Sequence, residues 1–515
     1  MTEIEIALQK LAATNGQVTS DIINDLLLEA KDRHDEMADL YKRYKADEQT
    51  VPVFLRTFED TTKINNKINN AFDAECVDTK VGYMFGKPIV YMVDRTEYMD
   101  EAGEWVNKGK YDRLQKTLDD FLARNFGKDL DIETGKMAAI CGMGARLCYI
   151  DTDGKERVMN VPPWECIWIY DRSINEPTYA VRYYKIQSKD GDTWHERTRV
   201  EWYDATDVTF YVSDDYGQYV LDESEGHWDD TNENWILTNP KPHLFNYIPL
   251  IAFPNNEECQ GDAEKALALL DGYDRAISDV NSEVDQLRLA YMVFKGHDVD
   301  TDTIKMAMKT GAFGIASDAD VAFIEKQIND KFVENHLNRL EENFMRVAKH
   351  VNFGDEAFAG NQSGVALKFK MFGLESKCVT MELKFKKALG QQWKVLCSAW
   401  QRKGIQFAED PKDSYLNIFA DFSRNFPLNI LEEAQATALL KGMVSEPTRL
   451  AMVSFVDDPQ YEITMMRKEQ EEAAVFEAQM LGGEEGSPAE GIGQLTTSTP
   501  NVGQRRDRQA RQEQV

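Results

Sequence analysis

The residues of this 515-residue chain whose types could do chemistry are its histidines, its cysteines and a few short glycine-containing runs. His34, His195, His227, His243, His297, His336 and His350 show no HExxH or paired-ligand spacing, so they point to no zinc site and read as surface or packed histidines. Cys76, Cys141, Cys148, Cys166, Cys259, Cys378 and Cys397 are an odd number without CxxC pairs. They suit neither a disulfide framework nor a zinc knuckle and read as small core residues. The run GYMFGKP, Gly82 to Pro88, is one residue short of a phosphate loop, and Pro88 stands where Ser or Thr would hold magnesium. A helix C-cap leading into a strand is expected there. GMGAR, Gly142 to Arg146, lacks the third glycine of a dinucleotide fingerprint and reads as a closely packed strand. DTDGKE begins at Asp151 like a calcium loop, but its twelfth position is Pro162 instead of a bidentate Glu, which leaves a hairpin turn. GxSxG is absent. Neither cofactor nor metal is implied, and nothing identifies an enzyme.

Composition narrows the remaining classes. Hydrophobic content of 42% and charged content of 29% are ordinary for a globular protein, and no apolar run approaches the roughly 20 residues of a bilayer span. The start, MTEIEIALQKLAATNG, carries acids where a signal peptide would be basic, so a cytosolic protein without membrane association is expected. A net charge of −30 argues against gripping nucleic acid by phosphate neutralisation, though not against letting it slide past.

The elements follow from periodicity. A helix is expected from about Ser20, its N-cap, to Lys45. TKINNKINNAFDAECVDTKVGYMFG reads as a helix ending at Gly86, and KPIVYMV as a strand. Strand-like runs then recur up to IPLIAF, with hairpin turns at Asp153-Gly154 and Asp190-Gly191. Residues from about 50 to 260 therefore predict an α+β domain rich in antiparallel sheet.

From Asp262 to Phe294 apolar residues alternate four and three apart, the seam of a long helix. A small insert from His297 to Asp330 follows, with one helical piece and strand candidates at AFGIAS and VAFIEK. The seam returns from Val333 to Val351, a loop intervenes, and a third long helix carries Leu367, Met371, Leu374, Cys378, Met381 and Phe385. Further helices are expected up to about Ala474, and a disordered tail after them.

Three separated runs occur in a telling order: NNKINNAFDAECVDTKVGYMFGKPIVY, IPLIAFPNNEECQGDAEKALALLDGYDRAISDVNSEVDQLRLAYMVFKG, and GNQSGVALKFKMFGLESK. Together they resemble the portal proteins of tailed bacteriophages, the head-tail connectors, especially the branch typical of long, non-contractile-tailed phages. The similarity covers roughly residues 20 to 470.

The resemblance implies an α+β portal fold in a ring-forming homo-oligomer, commonly of twelve subunits, at one capsid vertex around a channel for double-stranded DNA. It divides the chain into an N-terminal helical segment (1–49), a mixed wing (50–260), a stem helix (261–296) and a small α/β clip (297–330). A second stem helix (331–351), a tunnel loop (352–364), a long wing helix (365–400), a helical crown (401–474) and the disordered tail (475–515) complete it.

The loop residues expected to face the channel are Asn352, Asp355, Glu356, Phe358, Asn361, Gln362 and Ser363, with Lys368 and Lys370 just beyond. Asp355 and Glu356 would repel phosphate, the two lysines would attract it modestly, and such a bore guides without holding. Clip contacts are expected at Lys305, Lys309, Glu325 and Lys326. The implied partners are a terminase large subunit supplying ATP turnover, a head-tail adaptor, scaffold and major capsid proteins, and the DNA itself. The implied location is the virion, after assembly in host cytoplasm. Arg505, Arg506, Arg508 and Arg511 form the one concentrated basic patch noted in the tail. The alternative is a non-portal ring or coiled-coil adaptor of phage assembly, which shares the seams but not the order of motifs.

Overall fold

The computed structural model describes residues 3–14, 16–58, 63–93, 98–99, 105–106, 112–171, 176–190, 193–229, 234–287, 291–295, 300–302, 305, 320–324, 330–352, 369–405, 411–425, 430–453, 456 and 459–481. The chain divides into two compact units, Met1–Phe426 and Pro427–Val515.

The first unit opens with α1 (Glu3–Ala13) and α2 (Ser20–Tyr44). The cap of α2 is Thr19, one residue before the expected Ser20: its backbone is extended and its hydroxyl accepts from the Ile22 N–H. α1 lies in the acidic stretch at the start of the chain. It buries Ala7 and Leu11 against Ile22, Ile23 and Leu26 of α2.

The helix expected from Thr62 onwards is shorter, because residues 64–70 are extended and α3 (Phe72–Phe85) begins only after Ala71, whose φ is +50°. Asn-rich INNKINN has weak helical preference, and its amides find acceptors elsewhere, as described below. α3 ends on Gly86 and leads into β1 (Val90–Val93), as the GYMFGKP reading expects.

A small ribbon, β2 (Tyr98–Met99) with β3 (Trp105–Val106), precedes α4 (Asp112–Asn125) and α5 (Gly127–Cys141). β4 (Met143–Ile150) and β5 (Glu156–Val161) then form the hairpin expected at Asp153-Gly154. The calcium-like Asp151 shapes that turn, its Oδ1 accepting from the N–H groups of Asp153 and Lys155 at 3.0 and 2.8 Å. Gly142, before β4, needs its glycine: φ is +83°, and a Cβ would stand 2.0 Å from the Cys259 carbonyl.

β6 (Cys166–Tyr170), β7 (Pro177–Asp190), β8 (Thr193–Tyr203), β9 (Asp207–Ser213) and β10 (Tyr219–Leu221) build an antiparallel sheet in the order β10-β9-β8-β7-β6. β7 and β8 pair through Asp190 and Thr193, the second expected hairpin. A separate hairpin, β11 (Gly226–Asp229) with β12 (Asn234–Leu237), follows before β13 (Lys241–Pro242) rejoins β9. β14 (Leu250–Pro254) lies beside β4 in a three-stranded sheet, β14-β4-β5.

The long seam helix is α6 (Leu267–Leu287), which stops short of the expected 296. Tyr291–Lys295 is instead a strand, β15, paired antiparallel with β16 (Asp320–Ile324). Tyr291 and Phe294 satisfy a three-residue seam step, but YMVFK is equally a β-branched and aromatic strand, and pairing takes its backbone. The expected strand VAFIEK overlaps β16, whereas AFGIAS lies outside the described residues.

α7 (Asp330–Ala348) carries the second seam. α8 (Phe372–Arg402), the longest helix of the described residues, begins after the expected 365 and buries Phe385, Trp393 and Trp400 in the main core. The segment expected to open the helical crown is partly strand: β17 (Ile418–Asp421) pairs with β1 and lies in the first unit. The second unit holds α9 (Ile430–Leu439), α10 (Glu446–Ala451) and α11 (Pro459–Leu481), the last running beyond the expected boundary at 474.

The fold is thus mixed α+β. No described helix is long and apolar enough to cross a membrane. The seven cysteines are free, six of them buried.

Candidate functional site

The expected loop falls between α7 and α8 in the sequence. Among its singled-out residues the structure describes Asn352 and Lys370; Asp355, Glu356, Phe358, Asn361, Gln362, Ser363 and Lys368 lie outside the described residues. Asn352 and Lys370 are both exposed and line one cleft of about 700 Å³, with Glu341, Arg346, Lys349 and His350. The Asn352 amide donates to Glu341 at 3.4 Å. Of the expected clip contacts, Lys305 is exposed and 4.0 Å from Asp302, while Lys309, Glu325 and Lys326 lie outside the described residues.

The described residues on either side of that segment come close together. Lys349, left-handed at φ +51°, ends α7, and a Cβ on Gly373 of α8 would stand 3.6 Å from the Lys349 Cβ. Behind this contact lies a buried ionic knot. The Asp262 carboxylate, ahead of α6, receives Lys80 of α3 at 2.9 Å and Lys377 of α8 at 2.9 Å. Lys80 also donates to the Asn255 side chain at 2.7 Å, and Lys377 to the backbone carbonyl of Ala348, the last residue of α7, at 2.8 Å. Burial would raise the Asp262 pKa, but the two ammonium groups outweigh it and hold the carboxyl below its ordinary range.

One carboxylate facing two cations leaves an excess of positive charge in a buried place. The α7 C-terminus offsets part of it, because a helix end concentrates partial negative charge on its unpaired carbonyls. Lys377 therefore serves at once as ion-pair partner and helix cap, joining α3, the segment ahead of α6, α7 and α8.

His350, the first buried residue after Lys349, lies beside the knot. Its Nε2 is 3.6 Å from Glu75 of α3. Burial lowers its pKa more than Glu75 raises it, and Lys377 adds to the lowering.

A second device fixes α6. The extended segment 64–70 runs antiparallel along it, and the N–H groups of Asn70, Ile68 and Asn66 donate to Asp274 Oδ1, Ser278 Oγ and Ser282 Oγ at 3.1, 2.9 and 2.9 Å. The two serine hydroxyls donate in turn to carbonyls one helical turn back, at Asp274 and Ser278. This strap claims the amides that a longer α3 would have used. The paired α6 and α7 close over Ala266, Leu270, Phe344 and Ala348.

Sequence reasoning passed over Lys80, Asp262 and Lys377. A signal was present in α3: Val77, Lys80, Val81 and Met84 share a face that is apolar but for one lysine. A lysine on such a face needs a buried counter-charge. Among the described residues no cluster of three or more metal-ligating side chains occurs.

The family described as phage portal protein, SPP1 Gp6-like, matches residues 24–475. The portal protein of Bacillus phage SPP1 is 24% identical over 458 residues, spanning 86% of this chain and 83% of its own. The portal protein of Clostridium phage phiCD119 is 24% identical over 412 residues, spanning 76% and 82%. A match across most of the chain, with relatives of comparable extent, places it in one family: this chain belongs to the SPP1 Gp6-like phage portal proteins.

Proposed function

We propose that this portal protein assembles as a ring, twelve copies being the expected number, at one vertex of the capsid around a channel for double-stranded DNA. As a portal protein it is a structural virion component and not an enzyme. The wing comprises residues 50–260 together with α8, the stem is α6 and α7, and the clip is built around the β15–β16 ribbon. The crown begins at Pro427, and residues 352–364 form the tunnel loop. Asp355 and Glu356 repel DNA phosphate while Lys368 and Lys370 attract it, so that DNA is guided through the bore without being held. Lys305, Lys309, Glu325 and Lys326 meet the terminase large subunit, which supplies ATP turnover, and later the head-tail adaptor. Scaffold and major capsid proteins surround the ring, which assembles in host cytoplasm.

The observation that supports the channel assignment best is the root of the loop. A short segment pushed by passing DNA needs a fixed base, and Lys80, Asp262 and Lys377 tie that base to four elements at once. Electron microscopy of the purified protein tests the reading. Rings near twelve-fold with a bore of about 20 Å or more, room for a stiff duplex, are expected. A chain that stays monomeric across salt and concentration would overturn it.

A further inference from the structure

α8 and the turn just ahead of it carry two seams. Met371, Leu374, Cys378, Met381 and Phe385, spaced three and four apart, are buried in the main core. Phe369, Phe372, Ser376, Val379 and Leu383 repeat that spacing two residues earlier, and two residues are about 200° around a helix. The second seam therefore looks away from the core. It is apolar all the same: Phe369, Phe372, Val379 and Leu383 retain 76%, 70%, 44% and 65% of their exposure. A surface helix gives its polar face to solvent, and one that is apolar on opposite sides still lacks a neighbour. Three-and-four spacing is the pattern of lengthwise packing against another helix, and this seam extends over about 20 Å.

Area and charge define what covers it. The four apolar side chains hold on the order of 450 Å² in water, more than half of the roughly 800 Å² that one partner gives to a stable interface. Between Phe372 and Lys386 every charged side chain is already engaged within the chain: Glu375 and Glu382 by Arg424, Lys377 by Asp262, Lys384 by Glu257 and Lys386 by Glu382. Such a strip gives DNA phosphate no free cation and gives a charged partner no complement to select it by. Identical copies, by contrast, meet there without a local clash of charge, although each carries −30 overall. Apolar surfaces with their charges quenched suit permanent contacts between copies better than passing encounters. We propose, resting on the ring reading above, that the outer seam of α8 is covered by the neighbouring copy of this chain in the ring. A ring joins unlike faces, so the seam needs no equal on the copy that fills it.

The test uses the full chain with Leu383 replaced by the photo-cross-linking residue benzoylphenylalanine. Copies grown on light and on heavy nitrogen are mixed before assembly, irradiated, digested and read by mass spectrometry. Cross-linked peptide pairs that join light to heavy nitrogen are expected, because these arise only between copies. In parallel, Phe372→Ser with Leu383→Ser should raise the concentration for half-assembly about tenfold or more in sedimentation. Both side chains are exposed in the single copy, so circular dichroism of the variant should match the parent. Should the double variant not fold, Val379→Lys keeps the aromatic residues, sets one charge in the seam and should weaken assembly to a similar extent. Cross-links confined to light–light and heavy–heavy pairs would overturn the proposal and make a segment of the same copy the occupant. Unchanged assembly in the folded variants would overturn it too, and in either case rings of the parent would leave the ring reading standing. A parent that never assembles overturns the ring reading itself, and the seam proposal with it.

Discussion

Two buried polar clusters in the first unit differ in what they hold. Around Arg146 in β4, the guanidinium donates to Asp131 at 2.7 Å, to Thr134 at 2.7 Å and to Gln392 at 3.1 Å, while Tyr91 donates to the other Asp131 oxygen at 2.8 Å. The rings of Phe253 and Phe385, in contact with one another, lie 4.6 and 5.7 Å from the guanidinium carbon. One cation meets one anion, and every element involved is also packed through apolar side chains. Around Asp262 the charges do not balance, and one of the bonds ends on the carbonyl that closes α7. The first cluster is stitching inside a core; the second is a joint. Apolar residues could take over the stitching if the side chains of Tyr91 and Gln392 were made apolar with it, because replacing a whole buried polar cluster by shapes of equal volume is often neutral. They could not take over the joint, because the Ala348 carbonyl would lose its cap.

That contrast is open to direct measurement. The largest effect is expected for Asp262→Ala, which strands two lysines: about 3 to 5 kcal/mol of stability lost in urea unfolding. A loss below 1 kcal/mol would show that water reaches the joint and that it is not a buried knot. Next, acidification should weaken the fold through His34. Burial lowers its pKa to about 4 from 6.5, with the ring packed on Tyr183. The unfolded chain takes up that proton first as pH falls, so stability is full above pH 6.5 and declines towards pH 4, by about 3 kcal/mol for this group. His350 shifts in the same direction. Thermal melts of His34→Phe should show a shallower decline over that window than the parent, and an unchanged slope would remove His34 from the account.

The sharpest comparison is between apolar replacements of each cluster. Arg146→Met and Asp131→Leu, with their buried partners changed as Tyr91→Phe and Gln392→Leu, should change stability by about 1 kcal/mol, whereas Lys80→Met, Asp262→Leu and Lys377→Met together should still cost about 2 kcal/mol from the uncapped helix end. Hydrogen exchange should localise the second loss to the last turn of α7. Equal costs would mean that both clusters are stitching. The smallest effect is expected at the strap, where Ser278→Ala leaves the Ile68 N–H without its acceptor, for about 1 kcal/mol.

Much of the scaffold was legible from periodicity because its determinants are local. The seams of α6 and α7 and the turns at Asp153-Gly154 and Asp190-Gly191 depend on residues a few positions apart. What was not legible depends on distant partners. β1 was foreseen as a strand, but nothing near Val90 announces Ile418–Asp421 as its neighbour. INNKINN reads as helix in the sequence because the acceptors that hold it extended stand on α6, more than 200 residues away. The strand Tyr291–Lys295 hid inside a seam whose three-residue step both structures satisfy. The joint shows the same limit: Lys80 could be suspected from its apolar neighbours, yet Asp262 and Lys377 could not be chosen among so many charges.

The strap on α6 has a built-in length. Its rungs advance two residues along an extended chain, about 6.6 Å, and four residues along a helix, about 6.0 Å. These are the two scales of a vernier, and their divisions drift apart by about 0.6 Å per rung. Three rungs, at Asn66, Ile68 and Asn70, stay within hydrogen-bonding tolerance. At a fourth or fifth the accumulated offset would exceed what a hydrogen bond accepts, so the strap measures out its own span and fixes where along α6 the neighbouring α3 must begin.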